Sequence, residues 1–559
     1  GHNIANVSTP GYSRQSVVLQ TVQGQFTGGG YIGQGVDVQT ILRNHSELLT
    51  RQATAASSVD AGDTVRMDRL RQLQDVFAGG PSGIGASVNE MMNALSDVVS
   101  SPMDLTARSV ALTRMDETAA RMRDASQRLD EIGYTVAEQL KSSMLAVNSL
   151  AKNIAGVNEQ IARAKGNGQP ANDLLDQRDQ LIRELNQHIQ TSQVAADDGT
   201  VSVFVAGSQP LVLGNKAATL SIDDPVDFGA GSGKKVLSFQ QPGSSTKVEL
   251  NENMLGGGQV AGLLRFQNND LAEGRNLLGR MAIAISESMN TQNRLGLTLD
   301  GNPGENLFAP ISLGNAIASS SNTSGATMGL LVTDPTKLQA SSYTISFTTA
   351  ATGSVTRHSD GKVFSFDGAP VTMADVFTAQ GLQVSLVGTP DPGDQFMINS
   401  LQGAAAELKA LQYSPVDLAA ANPINAAMGA NNTGTLQLAS LKATGQPGGL
   451  VLPPPTGVVM SFNGSPNTFT LAGTASVPLN TSTTPPTPLV GPPFAFTSGQ
   501  SISIDGWEIT LNGSPKALDT VTIGNATDPQ YGDWYQRDAG NASALMGLRD
   551  VPMFDGATL

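Results

Sequence analysis

The sequence predicts an α+β multidomain chain: an elongated long-helix bundle domain, then two β-rich outer domains, with the chain returning to the bundle. Three observations predict it. Between Leu129 and Ile161 apolar residues recur every three or four positions, the spacing of one helix face. Beyond about residue 320 the apolar period shortens to two, the spacing of strands. One strand–turn–strand pattern then occurs twice, at Leu382–Ile398 and at Trp507–Ile523.

In residues 1–50, Thr9-Pro10-Gly11 marks a turn, because Pro fixes φ and Gly accepts a positive φ. Tyr12–Leu19 reads as a strand, and Val36, Val38 and Thr40 alternate as a second one. The apolar stripe Leu129, Ile132, Val136, Leu140, Met144, Val147, Leu150, Ile154, Val157 and Ile161 predicts a helix from about 103 to 165, with Pro102 near its start. Gly133 is a candidate kink, and Lys165-Gly166-Asn167-Gly168 followed by Pro170 is the stop. Such a long stripe asks for partner helices. A second helix is expected over Asp173–Gln190, with Asp179 and Arg183 spaced i,i+4. Asp197-Asp198-Gly199 reads as a hairpin turn before Thr200–Val205. Helix returns at about 258–293, with Leu263, Leu264, Phe266, Leu271, Leu277, Leu278, Met281, Ile285 and Met289 on its apolar side. In the repeated β pattern each strand leads through a Gly-x-Pro turn to an Asp (Asp394, Asp519) and a further strand. The Pro/Thr-rich loop Thr481–Pro493 is expected to hold no regular ladder. Asn541–Leu548 reads as a helix returning to the bundle.

These periods divide the chain as follows: 1–50, a turn and strand segment leading from a missing terminal helix; 51–320 with 540–559, the long-helix bundle with β-hairpins at 195–255; 321–400, β-rich; 401–450, an Ala-rich connector; and 451–539, a second β-rich outer domain.

Composition narrows the function. The 559 residues carry a net charge of −15, the wrong sign for a nucleic-acid footprint and for anionic lipid, so neither partner is expected. No run of 18 apolar residues predicts a membrane span. The absence of cysteine excludes disulfides, zinc thiolates and thiol nucleophiles. The four histidines, His2, His45, His188 and His358, are scattered and form no metal motif, so each reads as solvated or packed. Gly33-Gln34-Gly35 imitates a dinucleotide loop but precedes a strand, and reads as a tight turn. Asp300–Glu305 resembles a calcium loop in composition, lacks its alternating ligands, and reads as a polar turn. Asp176 and Asp179 share a helix face with Arg178 and Arg183 nearby, which reads as a surface ion network. The expectation is a non-enzyme with no cofactor, catalytic residue or metal ligand.

The segment Asn3-Ile4-Ala5-Asn6-Val7-Ser8-Thr9-Pro10-Gly11-Tyr12-Ser13-Arg14-Gln15 resembles the N-terminal signature of flagellar rod, hook and hook-associated proteins. Its Tyr-Ser-Arg-Gln ending is similar to that of the hook-associated protein 1 (FlgK) family. So are Gly35–Val38 with Arg43, Asn172-Asp173-Leu174-Leu175-Asp176-Gln177-Arg178-Asp179-Gln180-Leu181, Asn290–Asn293 and Asp300–Phe308. The resemblance implies a structural subunit of the bacterial flagellum that forms the hook–filament junction by self-assembly. Its implied partners are copies of itself, the hook protein, the second hook–filament junction protein, and an export chaperone binding a missing C-terminal region. It implies an extracellular place, reached through the flagellar type III system. It assigns a structural, assembly role to the matching positions Asn3, Asn6, Pro10, Gly11, Tyr12, Arg14, Gln15, Asp173, Leu174, Leu175, Asp176, Arg178 and Asp179. The alternatives are another axial protein (hook, distal rod or second junction protein) or an adhesin-like role for the outer β domains.

Overall fold

The computed structural model describes residues 2–558 except 10, 27, 168–170, 412, 446–448, 466, 484 and 555. Pro10 of the first turn, Gly168 and Pro170 of the helix stop, and Asp555 near the chain end lie outside the described residues.

The chain begins with a helical turn, α1 (His2–Ala5), and four strands, β1 (Gln15–Thr21), β2 (Gln25–Phe26), β3 (Tyr31–Ile32) and β4 (Val36–Arg43). β1 and β4 pair antiparallel as a two-stranded ribbon, with a register shift after Val18. Because side chains alternate across a strand, Val17, Leu19, Val36, Val38 and Ile41 share one face, and all are exposed.

Four helices follow: α2 (Glu47–Val76), α3 (Ile84–Ser100), α4 (Leu105–Gly166) and α5 (Asn172–His188). The 62 residues of α4 span about 93 Å at 1.5 Å per residue. Its N-cap is Asp104, whose carboxylate accepts the Thr106 amide at 2.8 Å, so Pro102 sits before the helix rather than in its first turn. The predicted stripe is inward throughout: Leu129, Val136, Leu140, Val147 and Ile154 are fully buried, and Ile132 and Leu150 pack against the same core. The chain's own elements cover it, with α3 and α5 as its main partners. Gly133 makes no break in α4. A Cβ there would lie 3.1 Å from the Leu271 side chain and 3.0 Å from that of Arg275, so the glycine permits a close helix crossing.

Seven strands cap the end of α4 as two sheets. One holds β5 (Ser192–Ala195), β6 (Val201–Val205), β7 (Gln209–Leu213) and β8 (Lys216–Ala217); the other holds β9 (Thr219–Asp223), β10 (Val236–Gln240) and β11 (Lys247–Leu250). Asn148 and Asn158 of α4 substitute for neighbouring strands by bonding the backbones of Leu220 and Val201. The next helix runs as α6 (Gln259–Arg265), a π-helical turn at Phe266–Asp270, and α7 (Leu271–Arg294). Of its predicted apolar face, Leu277 instead points to solvent.

The first β unit contains β12 (Ile317–Ala318), β13 (Thr327–Val332), β14 (Tyr343–Phe347), β15 (Gly353–Arg357), β16 (Val363–Phe366), α8 (Met373–Thr378), β17 (Leu382–Val387) and β18 (Gln395–Ile398). The short helix α9 (Leu401–Glu407) then packs on α7 and α4. The second unit contains β19 (Ile424–Met428), β20 (Gln437–Ala443), β21 (Val458–Gly464), β22 (Asn467–Ala472), β23 (Leu479–Asn480), β24 (Thr487–Pro488), β25 (Phe494–Ala495), β26 (Ser501–Ile504), β27 (Trp507–Asn512) and β28 (Thr520–Asn525). Among its described residues the Pro/Thr-rich loop yields only the two-residue strand β24. Helix α10 (Gly540–Gly547) brings the chain back, burying Ala542 and Leu545 in the bundle core.

The stretch expected as an Ala-rich connector is not only that. β19 pairs with β28 and β20 with β27, so residues from 424 onward belong to the second β unit. The reason is that the repeat is larger than its sequence echo. In the first unit a five-stranded sheet, β12-β18-β14-β15-β16, faces the pair β13-β17; in the second, β19-β28-β21-β22-β25 faces β20-β27-β26-β23-β24. Each unit is locked by one Asp and one Asn. Asp394 accepts the amides of Thr323 (2.9 Å) and Asp391 (2.9 Å), while Asn322 pairs both ways with the Gln395 backbone. Asp519 accepts the amides of Thr433 (2.8 Å), Gly434 (3.0 Å) and Lys516 (2.8 Å), while Asn432 pairs with the Thr520 backbone. Burial pushes the Asp519 carboxyl pKa up, but the amide donors outweigh it and hold the pKa below the usual value. Asp519→Ala strands three part-buried amide donors, and we expect a loss of about 2 kcal/mol from the second unit. Urea unfolding followed by the emission of buried Trp507 checks this; an unchanged midpoint would refute it.

Candidate functional site

The predicted site residues converge where the N-terminal segment meets α5. Gly11 has φ +80°, and a Cβ there would strike the side chains of Gln180 and Arg183, so this turn needs glycine to lie against the helix. Asn3 acts as a short strand: its Nδ2 donates to the Gln15 carbonyl (2.9 Å), and its Oδ1 accepts the Gln15 amide (3.0 Å) and the Tyr12 hydroxyl (2.8 Å). Partial desolvation, then the charges of Asp173 and Asp176, hold the Tyr12 pKa above its usual value. The Gln15 side chain reaches Asp173 at 3.3 Å, and the Ser13 amide donates to Asp176 at 3.1 Å. Asn6 is half-buried and accepts from Thr9. Arg14 points to solvent, and its carbonyl accepts the Asn44 amide at 2.7 Å.

The network has a centre that the sequence reading did not assign. Arg43, at the end of β4, sits 2.8 Å from Asp176 and 2.6 Å from Asp179, and all three side chains are about nine-tenths buried. Arg183 was expected to pair with Asp179; it bonds Gln180 instead, because Arg43 already occupies that carboxylate. Arg178 donates to the Gly199 carbonyl at 3.0 Å through one nitrogen and stands 3.5 Å from Asp179 with the other, and burial pushes its pKa down against the pull of Asp179. Leu174 and Leu175 are half-buried beneath. Asn172 fixes the ribbon by donating to the Ile41 carbonyl at 2.9 Å. What was read as a surface ion network is thus a mostly buried clamp between residues 136 positions apart. No local pattern could have revealed Arg43 as the partner.

A cavity of about 190 Å³ beside the clamp is lined by Arg43, His45, Glu47, Arg51, Arg178 and Asp179. It mixes guanidinium with carboxylate groups. Among the described residues no three His, Cys, Asp or Glu gather at metal-binding spacing. The arrangement can do one thing well: hold a projecting ribbon rigidly to a helix bundle.

Comparison with known proteins points the same way. A model of the flagellar hook-associated protein FlgK helical domain matches residues 70–308. A model of the flagellar hook-associated protein 1 D2-like domain matches residues 317–400. Flagellar hook-associated protein 1 of Salmonella typhimurium is 30% identical over 426 residues, covering 75% of each chain. That of Escherichia coli is 28% identical over 445 residues, covering 78% of each. The solved structure of the flagellar hook junction protein FlgK from Burkholderia pseudomallei superposes with a TM-score of 0.76 at 27% identity, covering 91% of this chain and 92% of that one.

Proposed function

The chain belongs to the flagellar hook-associated protein 1 family, and from that premise we propose how it serves the flagellum. It is a structural subunit of the junction between hook and filament. Its work is architectural rather than catalytic. Copies of it assemble side by side, meeting the hook protein on one side and the second junction protein on the other. It reaches the cell exterior through the flagellar type III apparatus, with a chaperone on its C-terminal region.

The observation that carries the self-assembly reading is the β1–β4 ribbon. Five apolar side chains, Val17, Leu19, Val36, Val38 and Ile41, lie on one uncovered face. A two-stranded ribbon is marginal alone in water and needs a surface to pack on. The Arg43 clamp holds it in a fixed direction, as a repeating contact with a second copy requires. Cells lacking this protein should build hooks without filaments and lose flagellin to the medium. The wild-type chain should restore filaments, and the Val17→Asp, Ile41→Asp double variant should be exported yet fail to restore them. Normal filaments from that variant would reject the ribbon as the assembly face.

A further inference from the structure

The internal repeat gives a direct comparison of one seam in two states. In the first β unit the seam between the two sheets is zipped: the Ala316 amide donates to the Met328 carbonyl at 2.8 Å, and Asn315 bridges Gly329. The matching Asn turns and strand registers place Ala426 and Leu438 where Ala316 and Met328 stand. There the zip is not made among the described residues. β20 carries a bulge at Ala439, and a groove of about 490 Å³ opens between β19 and β20. A bulge re-aims a strand and ends its pairing.

The groove is built for a ligand with both apolar and polar faces. Trp534 lines it while 56% exposed, and Leu438 lines it beside a bulged strand edge. Asn422, 95% buried, donates its amide to Asp538 and its Nδ2 to the Leu441 carbonyl, while its Oδ1 has no partner. A buried acceptor of this kind is costly unless something bonds it. The Gly429 amide donates to the Thr520 carbonyl of β28, and the Ala526 amide, just past β28, donates to the Pro423 carbonyl; strand alternation then turns the Ile424 and Ala426 backbone groups toward the seam.

We propose that this open seam, walled by Trp534, Asn422 and Asp538, binds a neutral saccharide. A sugar ring has a C–H face for the exposed indole and hydroxyls that both donate and accept, which suits the unzipped Ile424 and Ala426 backbone groups beside the Asp538 carboxylate. A peptide strand fits poorly: β19 and β20 approach within 8 Å Cα to Cα, and inserting a strand between them needs about 9.5 Å. Asp528, Asp533 and Asp538, against Arg537 alone on this segment, disfavour an anion. This binding is separate from the junction role, and either can fail without the other.

Of the two tryptophans, Trp507 is fully buried, so acrylamide quenching of the full chain reads Trp534. The probes are the methyl glycosides of glucose, galactose, mannose and N-acetylglucosamine, with acetyl-(Val-Thr)₂-amide as the peptide arm. We expect at least one glycoside to shield Trp534 saturably. We also expect Trp534→Ala to weaken ligand-observed saturation-transfer signals roughly tenfold, and Trp534→Phe to retain part of them. Shielding by no glycoside, shielding by the peptide instead, or undiminished binding to Trp534→Ala would each overturn the proposal.

Discussion

Replacing Arg43 with Ala is expected to release the segment 11–44 from α5, weakening that contact by about 3 kcal/mol. The cost comes less from the lost attraction than from what stays behind. Asp176 and Asp179 are both about nine-tenths buried, and each lies within 2.8 Å of the Arg43 guanidinium; Arg178, 3.5 Å from Asp179, is the other cation at hand and serves that carboxylate rather than Asp176. Without Arg43, two neighbouring carboxylates on one helix face remain desolvated and repel. The Ser13 amide and the exposed turn at Arg14 cannot replace a cation. Hydrogen exchange should show the amides of Ser13, Asn44 and β1 losing protection while those of α4 keep theirs. Adding Asp176→Asn and Asp179→Asn should recover much of the loss, since neutral amides tolerate the same burial. If the triple variant exchanges as fast as Arg43→Ala, the clamp is not electrostatic. In cells, the loosened ribbon should reduce filament attachment without stopping export, so that the subunit is found outside hooks that carry few filaments.

What was legible in the sequence were interactions within one element or one short turn. The α4 stripe could be read because burial on a helix imposes its period on neighbouring residues, and each predicted position is buried or packs against the core. The return of α10 was legible for the same reason. What covers the stripe was not: the stripe records that a face is buried and not by what, and here the answer is this chain's own helices. The clamp was half legible. Asp173, Asp176 and Asp179 stood out as acids on one helix, but their cation comes from β4, more than a hundred residues earlier.

The second β unit shows a different limit. Its first two strands lie in a stretch so rich in Ala that composition read as a connector, because small side chains give little alternation. A usable signal was present. Asn322-Thr323 and Asn432-Thr433 stand at the same place ahead of β13 and β20, and each Asn pairs with the strand that follows its module's Asp. Extending the repeat from the Gly-x-Pro turns back to those Asn–Thr pairs would have moved the boundary to about 432, between β19 and β20. The open seam was beyond reach, because it is the absence of a contact that the sister unit makes.

Acid is expected to loosen the joint between the bundle and the first β unit, with His358 as the group responsible. The ring is wedged between the two units. Lys234 Nζ, from the bundle's hairpin region, donates to Nδ1 at 3.3 Å, so the neutral ring carries its proton on Nε2 and donates to Thr344 Oγ1 at 2.7 Å. The other charges nearby are Glu252, which acts on Lys234, and the Arg357–Asp360 pair on the next turn of the β unit. Burial first, then the Lys234 charge, lowers the His358 pKa from 6.5 to about 4. The unfolded chain therefore takes up this proton near pH 6.5, and the folded chain takes it up only near pH 4. The contribution to stability is complete above pH 6.5, is lost progressively as pH falls to about 4, and is flat below that. The two values cap the loss at about 3 kcal/mol, and the partial exposure of the ring makes the observed loss smaller. His358→Gln can accept from Lys234 and donate to Thr344 without titrating. The difference in melting temperature between wild type and His358→Gln, measured from pH 7.5 to 3.5, should thus change between pH 6.5 and 4 and nowhere else. Hydrogen exchange should place that change at Lys234–Val236 and Tyr343–Ile345, on both sides of the joint. A constant difference across that range would mean the ring titrates in the fold as it does in the unfolded chain, and that neither burial nor Lys234 acts on it.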